Sequence, residues 1–383
     1  MKVLIITPTF FPEPGGPSIF VDNFVKSLRK DKHRVTVIAI SEADDAFRQE
    51  ENYFLINISR KRNRLSRVLK TILAIIQYGR RSEVVFSCGL FLESAISKWV
   101  IRKPLIIRIG GDPVWEKWTN QVGLKADLNE FYQKRHALKI EFKKYLQQFS
   151  CQSADKVITP CHFFKNLVEA WGIKKEKIEV VYNGSNLEEI NLPPKEEIKK
   201  KLLMNDRGVI LTVGRLIEFK RIDEIIESFS EMKNGDLCLL IIGGGFKKDQ
   251  LITLSKKLNL ADKVKFLGVK PHYELLHYLK AADLFVLNSV DEVMPNVVLE
   301  SLAVGTPVIA PKGGGIPEII QDQVDGWLYP LKKSNKKELR EAIERLVWDE
   351  ELKKQLIQNG YFKMIRFNWK HSYEKIVSIM NRI

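Results

Sequence analysis

The stretch "GVILTVGRLIEFKR", residues 208–221, begins with a continuous apolar run and ends in charged residues. An apolar run without polar alternation predicts a strand covered on both faces, as in a parallel sheet. Similar runs follow, separated by segments of helical period, at "LCLLII" (237–242), "KVKFLG" (263–268), "LFVL" (284–287) and "TPVIA" (306–310). The second half of the chain is therefore expected to form a parallel sheet covered by helices.

The first half shows the same alternation. Its strand-like runs are "KVLIIT" (2–7), "RVTVIAI" (34–40), "EVVFS" (83–87), "PLIIRI" (104–109) and "KVIT" (156–159). At 383 residues the chain is longer than one hydrophobic core usually supports. The diproline and charged stretch within 186–207 predicts a connector. We expect an α/β protein with two doubly wound domains facing each other across a cleft.

Composition narrows the class of protein. Apolar residues make up 45% and charged residues 28%, as in soluble globular proteins. The cysteines lack paired metal or redox spacing, which predicts buried thiols in a reducing compartment; they are Cys88, Cys151, Cys161 and Cys238. The N-terminal run has no cleavage site, and no run approaches the roughly 18 apolar residues of a membrane span. We expect a cytoplasmic location.

The net charge of +15 is concentrated in residues 1–185, which hold 31 Lys and Arg against 19 Asp and Glu. Residues 60–81 carry eight Lys or Arg and no acid, with an apolar face formed by Leu65, Val68, Leu69, Ile72, Leu73 and Ile76. This segment is either a helix at the inner face of an anionic membrane or a helix whose apolar face is core. No aromatic-basic recognition motif accompanies the charge, so nucleic acid is not an expected partner.

Ligands of open α/β sheets bind beyond the carboxyl ends of the strands. Gly214, Arg215 and Lys220 follow the strand at 208–213, where two cations suit a diphosphate better than a solvated face. Gly15 and Gly16 precede the first helix and let backbone amides approach an anion, although a plain turn is an equal alternative. The same two alternatives apply to Gly243–Gly245.

The segment "DEVMPNVVLE" (291–300) places two carboxylates around a proline. Pro295 suits the first turn of a helix, leaves the amides of Asn296 and Val297 free, and predicts a helix that ends near Gly305. Glu292 then lies in the loop and Glu300 inside the helix. Carboxylate oxygens accept hydrogen bonds from sugar hydroxyls, so the pair can contact different parts of one ligand.

These motifs together resemble glycosyltransferase family 4, the group 1 retaining glycosyltransferases of GT-B architecture. The second half carries, in the order of the family's donor domain, "VGRLIEFKRIDEIIESF", "IIGGG", "VKFLGV", "AADLFVLNS", "EVMPNVVLESLAVGTPVIAPKGGGIPEII" and "DGWLYP". The first half carries "ITPTFFPEPGGPSIFVDNFVKSLRKDKHRVTVIA", "SADKVITPC" and "VYNGSN". The likeness covers most of the chain and is more specific in the second half.

The resemblance implies a role for each candidate. Arg215 and Lys220 would hold the donor diphosphate with help from Gly15, Gly16 and Gly214; Glu300 would bind the ribose and Glu292 the transferred sugar; Val269 and Lys270 would meet the base; and Pro295, Asn296 and Val297 would supply amides. The implied domains are residues 1–185 for the acceptor, a linker at 186–207, residues 208–360 for the donor, and a helix within 361–383 that returns to the first domain.

The implied reaction is retaining transfer of a hexose-type sugar from a UDP- or GDP-linked donor to a glycan or lipid-linked acceptor. No cofactor is expected, because the nucleotide sugar is a substrate. The absence of any Asp-any-Asp triplet or metal-spaced histidine pair predicts a metal-independent reaction. Two alternatives remain: an epimerase or hydrolase of the same architecture, and a non-catalytic nucleotide-sugar binding protein.

The chain departs from the family pattern at two places. Val293 and Met294 follow Glu292, where relatives usually have glycine and an aromatic residue. The first half carries Gly110, Gly111 and Asp112 where many relatives carry a histidine. Asp112 is therefore a candidate for contact with the transferred sugar and for a catalytic role.

Overall fold

The computed structural model describes residues 1–383 apart from 12, 14, 51–52, 187–189, 205–206 and 233–235. The chain divides into two compact units. The first comprises residues 1–114, 134–183 and 372–383, and the second comprises residues 115–133 and 184–371. Each unit contains its own sheet. Among the described residues, none of the helices is long and apolar enough to cross a membrane.

The elements in the first part of the chain alternate between strand and helix. They are β1 (Lys2–Thr7), α1 (Gly16–Lys30), β2 (Arg34–Ser41), β3 (Ala46–Glu50), β4 (Tyr53–Ser59), α2 (Arg64–Gly79), β5 (Val84–Ser87), α3 (Phe91–Ile101), β6 (Leu105–Arg108), α4 (Pro113–Val122), α5 (Leu128–Gln133), α6 (Leu138–Ser153), β7 (Lys156–Thr159), α7 (His162–Ala170) and β8 (Ile178–Val180). A 3-10 turn spans Lys175–Lys177.

The elements after residue 190 continue the alternation. They are α8 (Lys195–Lys201), β9 (Gly208–Val213), α9 (Ile222–Glu231), β10 (Leu237–Ile242), α10 (Lys248–Lys257), β11 (Val264–Gly268), α11 (His272–Ala281), β12 (Leu284–Val286), α12 (Asn296–Val304), β13 (Val308–Lys312), α13 (Ile316–Ile319), β14 (Trp327–Pro330), α14 (Lys336–Trp348), α15 (Glu350–Lys363) and α16 (Trp369–Asn381). Further 3-10 turns span Glu218–Lys220 and Met364–Phe367.

The first unit has a sheet of eight strands in the order β3-β4-β2-β1-β5-β6-β7-β8. All neighbours are parallel except β3 and β4, which form an antiparallel pair at the edge. The central strand β1 is buried over five of its six residues. The α1 helix packs Phe24 against Phe86 of β5, with ring centroids 4.8 Å apart, so the helix covers the centre of the sheet. The sequence analysis missed β3, β4 and β8.

The second unit has a fully parallel sheet of six strands in the order β11-β10-β9-β12-β13-β14. Relative to chain order this is the 3-2-1-4-5-6 arrangement of a doubly wound fold. The chain leaves β9 toward one edge of the sheet and returns through β12 toward the other. The loops after β9 and β12 therefore diverge at the topological switch point, where such folds bind ligands.

The domain limits differ in two places from those expected. Residues 115–133, which contain α5 and most of α4, were expected in the first domain but belong to the second unit. Of the segment 361–383, expected to return to the first domain, residues 361–371 belong to the second unit, and residues 372–383, which include most of α16, belong to the first. There the Tyr373 hydroxyl donates to Asp31 at 2.6 Å and its ring packs edge-on against Phe24.

The expected linker, 186–207, contains structure. Residues 187–189 and 205–206 of it lie outside the described residues, whereas 195–201 form α8, which packs against α11. Lys195 and Lys199 of α8 donate to the Asp283 carboxylate at 2.7 and 2.9 Å. The same carboxylate accepts from the Val209 amide of β9 at 2.8 Å. Asp283 thus joins the connector helix to the first strand of the second sheet.

Asp283→Ala should lower the stability of the second unit. Burial raises the pKa of Asp283, but the two lysines and the Val209 amide lower it more, so the pKa lies below the ordinary aspartate value. Its stabilising contribution is complete above that ordinary value and is lost in more acidic solution. Loss of these charged hydrogen bonds should cost about 1–3 kcal/mol at neutral pH. Denaturant unfolding measures this, with exposed Asp262→Ala as the control; equal stability of both variants would contradict the assignment.

Candidate active site at the second sheet

The loop after β9 lies directly against the loop after β10. Leu216 donates its amide to the Gly244 carbonyl at 2.9 Å. A Cβ on Gly243, whose φ is +144°, would lie 1.8 Å from the Gly214 carbonyl oxygen, and one on Gly245 would lie 2.3 Å from that of Leu216. Gly243 and Gly245 are therefore required for close packing of the two backbones.

Lys220 ends the 3-10 turn after β9, and its side chain is only 13% exposed. Its ammonium group contacts the Glu292 carboxylate. Burial lowers the pKa of Lys220 to about 7, and the positive charge of Arg215 acts in the same direction, whereas Glu116 opposes them. The site therefore holds a buried cation at the end of the central strand, and its contact with Glu292 favours the charged form.

Arg215 forms a bidentate ion pair with Glu116 of α4. The Arg215 side chain is 58% exposed, so this pair contributes little stability and leaves the guanidinium accessible. The neighbouring Trp115 packs on Phe219 of the 3-10 turn, with ring centroids 5.2 Å apart. The sequence analysis missed Glu116, because it lies 99 residues from Arg215 in a segment assigned to the other domain.

The loop after β12 positions Glu292. Val290 donates its amide to the Phe219 carbonyl at 2.9 Å, which joins this loop to the one after β9. Gly315 donates to the Glu292 carbonyl at 2.8 Å, and a Cβ on Gly314, whose φ is +58°, would lie 2.2 Å from that same oxygen. The "GGGIPE" motif thus buttresses the backbone of Glu292.

The α12 helix begins one residue later than expected, with Pro295 at its N-cap and Asn296 as its first residue. The N-cap residue contributes no side-chain hydrogen bond to this end of the helix, which carries the amides of Asn296 and Val297. The helix ends at Val304, and Gly305 has a left-handed φ of +78°, which confirms the predicted terminus. Both amides follow the Glu292 loop directly.

Glu300 lies on the second turn of α12 and is 8% exposed. Its Oε1 atom lies 2.9 Å from His272 Nε2, at the start of α11. This hydrogen bond raises the pKa of His272, although burial opposes the shift. His272 was not among the residues predicted from the sequence to contact the donor, and its position two residues after Lys270 was the available signal. In the described part of the chain, no three His, Cys, Asp or Glu side chains cluster as metal ligands would.

Val269 and Lys270 follow β11 at the same end of the sheet. Val269 is 57% exposed, and its Cγ2 lies 3.1 Å from where a Cβ of Gly244 would stand. Lys270 lies 3.3 Å from the Glu274 carboxylate. An exposed apolar side chain beside a glycine loop can pack against a planar ring. Their base-binding role remains a prediction.

Three sequence candidates belong to the first unit. Gly15 caps α1 with φ +138° and Gly16 is its first residue, and no side-chain cap is present there. Asp112 is 5% exposed, and its Oδ1 accepts from the Val114 amide at 2.8 Å, as a cap at the start of α4. The local hydrogen bond accounts for its burial without a ligand, and a contact with substrate remains a prediction.

Arg108, at the end of β6, was missed although it is the one cation in the run "PLIIRI". It is 7% exposed, donates to the Asn183 side chain at 2.5 Å, and lies 3.7 Å from the centre of the Phe20 ring. Burial lowers its pKa, and no carboxylate in the described residues pairs with it. Such a buried cation is costly and marks the carboxyl end of the first sheet.

Comparisons with known proteins cover nearly the whole chain. The family model described as "Glycosyltransferase Family 4" matches residues 14–189, and that described as "Glycosyl transferases group 1" matches residues 194–363. The chain is 31% identical over 250 residues to an uncharacterized glycosyltransferase of Methanocaldococcus jannaschii, covering 63% of this chain and 62% of that protein. The chain thus spans less than two thirds of that relative.

Other similarities extend further along the chain. The alpha-monoglucosyldiacylglycerol synthase of Streptococcus pneumoniae is 26% identical over 348 residues, covering 86% of this chain and 75% of the synthase. The crystal structure of Anabaena HepE in complex with UDP-glucose has a TM-score of 0.80 and 19% identity, with full coverage of both chains. At this identity the structural match shows the fold alone.

The pair of Glu300 and His272 can be tested without a ligand. Glu300→Gln should lower the pKa of His272, because a neutral amide favours the imidazolium less than a carboxylate does. Titration of the His272 ring by NMR measures the change. The control is Glu274→Gln, because Glu274 lies on the same helix as His272 but pairs with Lys270. An unchanged His272 pKa in Glu300→Gln would show that the two side chains do not interact in solution.

Proposed function

We propose that this chain is a retaining, metal-independent enzyme that uses a nucleotide-sugar donor, because it belongs to the group 1, family 4 glycosyltransferases of GT-B fold. It would transfer a hexose-type sugar from a UDP- or GDP-linked donor to a glycan or lipid-linked acceptor. The glycolipid named for the Streptococcus pneumoniae relative supports an acceptor of this kind. Synthesis of a cell-envelope glycolipid or polysaccharide is the role that suits such a reaction.

The contact between Lys220 and Glu292 is the observation that carries the proposal. A sugar joined to a diphosphate presents hydroxyls and anionic oxygens side by side. The site presents a carboxylate that can accept from hydroxyls and a buried ammonium group that can bind phosphate, in direct contact with each other. Arg215 adds a second cation at the same strand end. The carboxylate and the two cations of the site therefore match the hydroxyls and the anionic oxygens of the donor.

The residues of this chain would lower the barrier by stabilising the leaving group. Breaking the sugar–phosphate bond builds negative charge on the diphosphate, and fixed cations and helix-end amides directed at it stabilise that charge. Lys220, Arg215 and the amides of Asn296 and Val297 would supply them. The acceptor hydroxyl would attack from the face that the diphosphate leaves, and its proton would pass to a phosphate oxygen. Retention of configuration follows.

In this account the ion pair of Arg215 would exchange for the donor, whereas that of Lys220 would persist. Glu116 would release Arg215, since the pair is exposed and weak. Glu292 would keep its place beside Lys220 and turn its free oxygen to the sugar. Glu300 would accept from ribose hydroxyls, with His272 holding the carboxylate in place. The roles of Gly15, Gly16 and Asp112 in donor binding stay predictions.

The function is tested by turnover of UDP-, GDP- and ADP-sugars, after thermal stabilisation has identified the donor that binds. Lys220→Ala and Arg215→Ala should each reduce turnover, with Lys220→Ala reducing it on the order of 10²–10³-fold because its charge is buried against the leaving group. The control is Lys248→Ala, because Lys248 is an exposed residue at the start of α10. Near-normal turnover in both site variants would show that this loop does not bind the diphosphate.

Acceptor dependence separates the alternatives. Release of free sugar at the same rate with or without any acceptor would identify a hydrolase, and an altered nucleotide sugar would identify an epimerase. Stabilisation by a donor without turnover of any kind would identify a binding protein. Activity in excess chelator is expected, and loss that magnesium or manganese restores would overturn the metal-independent reaction.

The two glutamates should act on different parts of the donor. Glu300→Gln should weaken binding of the nucleoside diphosphate itself, because the ribose is present in it. Glu292→Gln should reduce transfer while leaving nucleoside diphosphate affinity nearly intact, since a contact that strengthens as the sugar gains positive charge acts on the barrier. Calorimetry beside turnover assays measures both effects, and equal loss of diphosphate affinity in the two variants would refute the division.

A further inference from the structure

The buried cations that the structure describes are paired with carboxylates, with one exception. Five lysine or arginine residues in the described ranges are 7% exposed or less. Four of them form an ion pair: Lys144 with Glu141, Arg221 with Glu224, Lys247 with Glu218, and Lys353 with Glu350. The fifth is Arg108 of the first unit, which pairs with no described carboxylate. Arg108 is therefore the buried cation whose charge needs an explanation.

The groups around Arg108 hold its guanidinium without neutralising it. The Asn183 side-chain oxygen accepts a hydrogen bond from Nη2, and the centre of the Phe20 ring lies 3.7 Å from the guanidinium carbon. Burial disfavours the charge and lowers the pKa of Arg108. Arginine nevertheless stays protonated at neutral pH, so the charge is not relieved by loss of a proton. The two neutral partners fix the position of a cation that still lacks a countercharge.

The guanidinium is open on one side. In the described part of the chain its Nη1 and Nε groups have no hydrogen-bond partner, and neither nitrogen is fully enclosed. A Cβ on Gly110 would lie 3.3 Å from Nη1 and within 4 Å of nothing else beyond its chain neighbours. A Cβ on Gly111 would meet nothing within 4 Å. The two glycines therefore leave space beside hydrogen-bond donors that are free to bind a ligand.

The position of Arg108 in the sheet also suits a ligand. Arg108 ends β6, which neighbours β5, and the loops after β1 and β5 diverge toward opposite edges of the sheet. Such folds bind ligands at the carboxyl ends of the strands beside this switch point. Phe20 lies in the second turn of α1, so the positive end of that helix is close and adds no negative charge. The surroundings therefore favour an anion.

We propose that Arg108 forms a binding site for an oxyanion, and that the oxyanion is a phosphate or carboxylate group of the acceptor. A guanidinium donates charge-assisted hydrogen bonds to both kinds of group. The cations proposed for the donor diphosphate, Arg215 and Lys220, belong to the second unit, whereas Arg108 belongs to the first. Only the assignment to the acceptor rests on the proposed function, because binding of an oxyanion needs no transfer.

NMR of the arginine Nε–Hε groups tests the site on the full chain, with the Arg108 signal identified by its absence from Arg108→Met. The probes are inorganic phosphate and acetate, and the control is chloride at the same ionic strength. The Arg108 signal should shift saturably with phosphate or acetate, whereas that of Arg221, which already pairs with Glu224, should not. An Arg108 signal that moves no more with either probe than with chloride would overturn the proposal.

Stability measurements separate a binding role from a structural one. Arg108→Met removes a buried cation and leaves no carboxylate unpaired, so its stability without a probe should equal or exceed that of the wild-type. Arg221→Met leaves Glu224 without its cation and should be clearly destabilised. Destabilisation of Arg108→Met as large as that of Arg221→Met would assign Arg108 a structural role instead. The NMR test on the wild-type chain decides the matter if Arg108→Met does not fold.

Thermal stabilisation by phosphate measures the affinity of the site. The measurement is made in Lys220→Ala, so that the proposed diphosphate site contributes little. Phosphate should raise the melting temperature of this chain more than chloride does. Addition of Arg108→Met should lower the apparent phosphate affinity on the order of 10–100-fold, because a charged hydrogen bond is lost. Equal phosphate affinity with and without Arg108 would contradict the assignment.

Calorimetry with donors identifies the molecule that carries the oxyanion. Arg108→Met should bind the hexose donor and the corresponding nucleotide uronic acid as the wild-type does. A selective loss of affinity for the uronic acid form would place the oxyanion on the transferred sugar and overturn its assignment to the acceptor. A chain whose Arg108 binds phosphate but which transfers no sugar would refute the proposed function and leave the anion site standing. Transfer of sugar by a chain whose Arg108 signal ignores both probes would do the reverse.

Discussion

The hydrogen bond from the Val290 amide to the Phe219 carbonyl joins the two loops that diverge at the centre of the second sheet. The strand order places these loops at the ends of neighbouring strands, since β9 and β12 are adjacent and the chain leaves them toward opposite edges of the sheet. The bond holds the 3-10 turn carrying Lys220 beside the loop carrying Glu292. Their ion pair, and with it the whole donor site that we propose, depends on this junction.

Glycine allows the neighbouring loops to approach closely enough to support it. A side chain on Gly243 or Gly314 would collide with the carbonyl of Gly214 or Glu292, at 1.8 and 2.2 Å respectively. Both glycines also have positive φ, which other residues adopt at a cost. The glycine-rich segments of the second unit therefore act by fixing backbones. The groups that can bind a ligand are the cations, carboxylates and helix-end amides that these backbones hold.

A buried polar network supports the same junction between the loops after β9 and β12. Arg221, which is 5% exposed, donates to Glu224 at 2.6 Å and to the Lys332 carbonyl at 3.0 Å. Asn288 donates to the Arg221 carbonyl and to Glu224, both at 3.1 Å, and accepts from the Tyr329 hydroxyl at 2.7 Å. Because each buried polar group has partners, the network fixes the start of α9 against the end of β12. Lys220 immediately precedes Arg221, and Glu292 lies in the loop that begins after Asn288.

The sequence by itself determined the two parallel sheets, the α12 terminus at Gly305 and the strand-end positions of Lys220 and Glu292, because buried strands and helix ends leave local signals. It missed β3, which has no buried residue and pairs with β4 at the edge of the sheet. It also missed β4, β8 and β14. Only the tertiary structure decided that Glu116 pairs with Arg215, that His272 meets Glu300, and that the leucines of α2 face solvent. Those outcomes depend on residues distant in the chain and on which side of a helix packs, and neither is encoded in a local pattern.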